Sequence, residues 1–145
     1  MYKRILMAYN GSHSGQRALL DCHEIAQWSH AELTLISVKP LPLSLIGPEF
    51  NVHDEELFGA TDTHYQQILD AGVRRLSDSG VKAHGELVTG DPVIEIVRCA
   101  VRTNAELIIV GHRHLDGWVS RWWRGSVSKS LIESSHCSVL IVMTH

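Results

Sequence analysis

Leu107-Ile108-Ile109-Val110 is an unbroken run of large aliphatic residues. A strand with one solvated face alternates apolar and polar side chains. A short run with no polar member instead fits a strand covered on both faces, as in a parallel sheet. Parallel strands cannot be joined by hairpins and need crossover segments, usually helices. The rest of the chain reads as a supply of both.

Arg4–Tyr9 is a short apolar run ending in Asn10-Gly11-Ser12, a strand followed by a turn. Glu32–Lys39 reads as the second strand, with Leu33, Leu35 and Ile36 apolar, Val38 near its end, and Pro40 and Pro42 stopping it. Val81–Val88 is a more polar strand, and Val139–Val142 is the last. A helix from about Ser14 to Ser29 places Ala18, Leu19, Cys22, Ile25 and Ala26 on one face. Thr61–Ser79 forms a long helix with Tyr65, Ile68, Leu69, Gly72 and Leu76 inward, and Gly80 follows as its C-terminal glycine. Asp91 caps and Pro92 opens a third helix, whose stripe is Val93, Ile96, Val97 and Ala100. Ser126–Ser134 is a short fourth. Pro40 to about Ala60 reads as irregular, with Phe50, Leu57 and Phe58 folding back over the body. The alternation β-α-β-α-β-α-β-α-β, with right-handed crossovers, gives an α/β protein: a doubly wound, five-stranded parallel sheet with helices on both faces. Its 145 residues suit one domain, residues 1–145.

The net charge of −3 supplies no overall attraction to nucleic acid or to an anionic membrane. No apolar run approaches the roughly 20 residues needed to span a bilayer. The opening Met1-Tyr2-Lys3-Arg4-Ile5-Leu6-Met7 has a basic start but too short an apolar stretch for a signal peptide. A cytoplasmic protein is therefore expected. Cys22, Cys99 and Cys137 lack metal-site spacing, and an odd count in a reducing compartment favours buried thiols.

In doubly wound folds, ligands bind beyond the carboxyl ends of the strands, where the chain order reverses. Two loops belong there: Asn10–Gly15 after the first strand and Gly111–Gly125 after the fourth. In the second, Gly111 follows a buried strand and Gly125-Ser126 opens a helix. Glycine removes the Cβ that would hold a phosphate off the backbone. The first helical amides have no internal partners, and the helix dipole adds about half a positive charge there. Arg121 or Arg124 would add charge-assisted contacts. The plainer reading is that Gly125 is a turn residue and Ser126 an N-cap. His112 and His114 flank Arg113 with no cysteine or carboxylate at a recognised metal spacing, so they read as solvated loop histidines and no metal is assigned. Trp118, Trp122 and Trp123, with Arg121 and Arg124, form an aromatic and basic cluster. It suits packing or a contact surface better than base stacking.

Three stretches carry a family resemblance. The first is Ile5-Leu-Met-Ala-Tyr-Asn-Gly-Ser. The second is Ala31-Glu-Leu-Thr-Leu-Ile-Ser-Val. The third joins Leu107-Ile-Ile-Val-Gly, Arg124-Gly-Ser-Val-Ser and Ser135-His-Cys-Ser-Val-Leu-Ile-Val. Together they resemble the universal stress proteins along essentially the whole chain, most weakly from Pro40 to Gly80. The resemblance implies the adenine-nucleotide alpha-hydrolase-like fold with strand order 3-2-1-4-5. Nucleotide-binding members carry Gly-x2-Gly-x9-Gly-Ser/Thr in the loop after the fourth strand. By resemblance, Gly111, Gly125, Ser126 and Val127 would hold phosphate and ribose, and Val38 would meet the adenine through its backbone. Ala8 and Asn10 would line the base and ribose side, and Val110, His114 and Arg124 complete the implied set. His114 replaces the second motif glycine, the spacing to Gly125 is one residue longer, and Asn10 stands where the family usually has an acid. His114 would either obstruct the phosphates or contact them when protonated. The implied function is a regulatory stress protein binding ATP or a related adenine nucleotide, with magnesium if bound. The alternative is a dimeric protein-interaction module of the same fold that binds no nucleotide. Asp116 is the only loop carboxylate and no base–nucleophile pair is visible, so an enzyme is not expected beyond weak ATP hydrolysis. The apolar Val139–Val142 strand, expected at a sheet edge, implies a homodimer.

Overall fold

The computed structural model describes residues 1–11, 13–39, 62–113 and 125–144. Its elements run β1 (Arg4–Ala8), α1 (His13–Ser29), β2 (Glu32–Lys39), α2 (Asp62–Asp78), β3 (Ala83–Thr89), α3 (Pro92–Arg102), β4 (Leu107–Arg113), α4 (Gly125–Ser134) and β5 (Ser138–Thr144). All pairings are parallel, in the order β3-β2-β1-β4-β5. The expected strand order and layering are therefore correct. The Pro40–Ala60 reading lies outside the described residues.

Period-2 alternation sorts the strand residues between two cores. Ile5, Met7, Tyr9, Leu33, Leu35, Leu107 and Ile109 face α1 and α2. Leu6, Ala8, Ile36, Ile108 and Val110 face α3 and α4. Every residue of the run Leu107–Val110 is buried, which is why it carries no polar member. The edge strand β3 shows only partial burial, matching its polar sequence.

Helix ends follow local chemistry. The Asp91 side chain accepts from the Ile94 amide at 3.0 Å, and Pro92 occupies the first turn where no amide is needed. Gly80 ends α2 with φ +83°, a conformation that a Cβ opposes. Cys22 and Cys99 are buried as expected, whereas Cys137 is half-exposed.

The start of the sheet is held by Glu106. Its carboxylate accepts from the Lys3 amide at 2.5 Å and the Arg4 amide at 3.2 Å. These backbone donors are the main cause of a Glu106 pKa below its ordinary 4.5. Glu86 is also lowered, chiefly by its hydrogen bonds from Arg102. A carboxylate whose folded pKa is depressed contributes stability above its unfolded pKa and loses it as pH falls through the folded value. Urea midpoints should therefore drop on acidification below about pH 4.5. The drop should be shallower in Glu106→Gln but not absent, because Glu86 still titrates. A Glu106→Gln protein with the wild-type acid slope would refute the assignment to Glu106.

Candidate nucleotide site

β1 occupies the centre of the sheet. The chain moves outward from it to β2 and β3, then returns to its other side as β4 and β5. The reversal leaves a crevice at the carboxyl ends of β1 and β4. Parallel register sets Ala8 beside both Ile36 and Val110. Ala8, Val110 and Val127 share one buried apolar cluster, with Val38 packed against it. Four positions scattered from 8 to 127 thus share one face of the sheet.

The turn after β1 is tightly fixed. The Tyr9 amide donates to the Ile36 carbonyl at 2.9 Å, and the Ser37 hydroxyl donates to the Tyr9 carbonyl at 2.5 Å. Ser37 is buried, so this bond forms away from competing water. Asn10 follows, partly exposed, and Gly11 turns the chain with φ +75°, which a non-glycine residue adopts only at a cost. Burial pushes the Tyr9 phenol above its ordinary value, and the Arg75 charge partly offsets this.

Gly111 differs from its expected place. It lies within β4, which runs three residues past Val110 to Arg113, and not at the start of a loop. Gly111, His112 and Arg113 pair with Val142, Met143 and Thr144 of β5. The sequence shows only the apolar part of this strand, because backbone pairing with β5 carries the strand on through residues that have no apolar pattern. Gly125 is the first residue of α4, with Ser126 and Val127 in its first turn. Their amides are the donors without intrahelical partners. Val127 and Ser128 are buried and Leu131 fully so, and these tie the helix to the sheet. His114, Arg121, Arg124 and the three tryptophans of the connecting segment lie outside the described residues.

Sequence reasoning missed the contacts that hold the first turn. Ser37 reads as an ordinary strand residue, and only the register of β1 with β2 brings it to Tyr9. The Asn10-Gly11 pair did announce a turn, but not what packs against it.

The universal stress protein family profile matches residues 1–143. A Staphylococcus aureus (strain USA300) relative that bears the universal stress protein name is 32% identical over 146 residues, spanning 99% of this chain and 85% of its own. Among solved structures, an Arabidopsis thaliana universal stress protein family protein with AMP bound has a TM-score of 0.70 at 18% identity, covering 99% of this chain and 92% of the other. A universal stress protein in complex with cAMP has a TM-score of 0.68 at 24% identity, covering 99% and 98%. At these identities the two structures speak to fold alone. The family profile and the bacterial relative speak to descent, and by them this chain belongs to the universal stress protein family.

Proposed function

We propose that this protein is a cytoplasmic regulatory stress protein that binds ATP or a related adenine nucleotide between the turn after β1 and the start of α4. The observation that carries the reading is the meeting of Ala8, Val110 and Val127 in one cluster, with Val38 against it. This arrangement lays the first turn of α4 on the sheet face to which Ala8 and Val110 belong, which supports the reading. In this reading the backbone at Val38 meets the base, Asn10 faces the ribose, and the amides of Gly125, Ser126 and Val127 receive phosphate. By the family pattern Gly111, His114 and Arg124 would contact the phosphates, with magnesium where more than one is bound. Asn10 brings hydrogen-bonding capacity without charge, so it adds no repulsion toward a phosphate. Solved proteins of the same fold hold AMP and cAMP, which agrees with this ligand class.

The protein acts by binding, as a homodimer paired along the edge strand β5, whose outer backbone groups invite a second strand. Calorimetric titration with ATP, AMP and cAMP tests the ligand. Saturable heat with at least one of them is the expected result, and none at millimolar nucleotide with folded protein would overturn the proposal. A second reading rests on His114, which places a side chain where the family pattern has glycine. If His114→Gly gains ATP binding that the wild type lacks, the protein is an interaction module of the same fold.

A further inference from the structure

Three residues of α2, spaced along one side of the helix, reach the turn that follows β1. The Gly11 Cα lies against Ile68 so closely that an added Cβ would stand 2.8 Å from Ile68 Cγ2. One helical turn on, Gly72 admits the Tyr9 ring, and a Cβ there would stand 2.6 Å from Tyr9 Cε1. Further along, Arg75 Nη1 donates to Gln16 Oε1 at 2.9 Å, and Gln16 Nε2 donates to the Gly11 carbonyl at 3.5 Å. Asn10 therefore sits between two residues whose positions α2 sets.

Ile68 lies at the margin of the core. It is only partly buried, while its neighbour Leu69 is deep in the core. A β-branched side chain in a helix is held in about 90% of cases in one χ1 rotamer. Its Cγ2 methyl is thus a stiff stop rather than an adaptable filler. Gly11, with φ +75°, rests on that stop.

We infer that Ile68 is a positioning residue: its Cγ2 methyl sets the Tyr9–Gly11 turn, and through it the placement of Asn10 toward the nucleotide. The last step rests on the nucleotide reading above. Shape and burial make opposite forecasts. Valine keeps the branch at Cβ and loses the terminal methyl. Leucine keeps the size and moves the branch outward; one exchange conserves volume and the other removes a single methyl from a half-buried site, so both variants fold.

The test uses two readouts on full-length wild type, Ile68→Val and Ile68→Leu. In ligand-free protein, amide resonances of Asn10 and Gly11 should stay near wild type in the valine variant and move or broaden in the leucine variant. In ATP titration, the valine variant should bind within about twofold of wild type and the leucine variant about tenfold more weakly, a factor worth about 1.4 kcal/mol. Equal amide positions in the two variants, or a larger disturbance in valine, would overturn the inference. A leucine variant with displaced amides, beside a wild type that binds no nucleotide, would uphold Ile68 and discard the nucleotide reading alone.

Discussion

Leu131→Ala is expected to destabilise the protein by about 2–5 kcal/mol, the range for removing a fully buried leucine. Leu131 has no exposed surface and packs in the cluster that contains Ile96, Ile108 and Val110. The ten-residue helix α4 has few such anchors. Val127, Ser128 and Leu131 are buried, while Lys129, Ile132 and Glu133 face solvent. A helix this short is marginal by itself and depends on packing of its inward face. The loss should therefore fall first on α4. Urea denaturation reads the total, and hydrogen exchange should show faster opening of α4 amides than of β1. A loss under about 1 kcal/mol would mean that other contacts hold the helix. The functional cost follows from the same geometry, because the amides of Gly125 and Ser126 point where α4 points.

Gly72→Ala should lower stability by about 1–3 kcal/mol, the usual cost of overfilling a packed core. The sign is the informative part. At a solvated helix position the same change gains up to about 1 kcal/mol, since alanine is the better helix former. Here the new methyl would meet Tyr9 Cε1 at 2.6 Å and Leu35 Cδ2 at 2.9 Å. The ring has no open space to move into, because Tyr9 is buried within the core cluster. Thermal melting of the variant checks this. An unchanged or raised midpoint would show that α2 can lift off the sheet without penalty.

Much of this architecture is written in short-range signals. The Leu107–Val110 run announced a buried parallel strand, Asp91-Pro92 announced a helix start, and Gly80 announced a helix end. Each is enforced by chemistry within a few residues, which is why a single sequence displays it. The site is less legible. Gly125-Ser126 shows an amide-rich helix start, but nothing local tells that Val127 joins the same buried cluster as Ala8. That grouping depends on where β1 and β4 lie in the sheet. The extension of β4 through Gly111, His112 and Arg113 was hidden for a related reason. Those residues are kept in the strand by pairing with Val142, Met143 and Thr144 of β5, and backbone pairing leaves no mark on side-chain composition. Gly72 read as one more inward position. Its use as a slot for Tyr9 appears only when α2 is laid on the sheet.

The central place of β1 also has a consequence in time. Its residues are made before those that flank them on the other side: the carboxylate partner Glu106 follows Lys3 by 103 positions. At about 5–20 residues per second, that separation is on the order of 5–20 seconds of synthesis. Throughout it, β1 can pair with β2 but has no neighbour on its other side, and the Leu6 and Ala8 face has no α3 or α4 to cover it. The nascent chain therefore carries an open apolar strand edge until its last third emerges, and the same late event completes the sheet and brings both halves of the candidate site together.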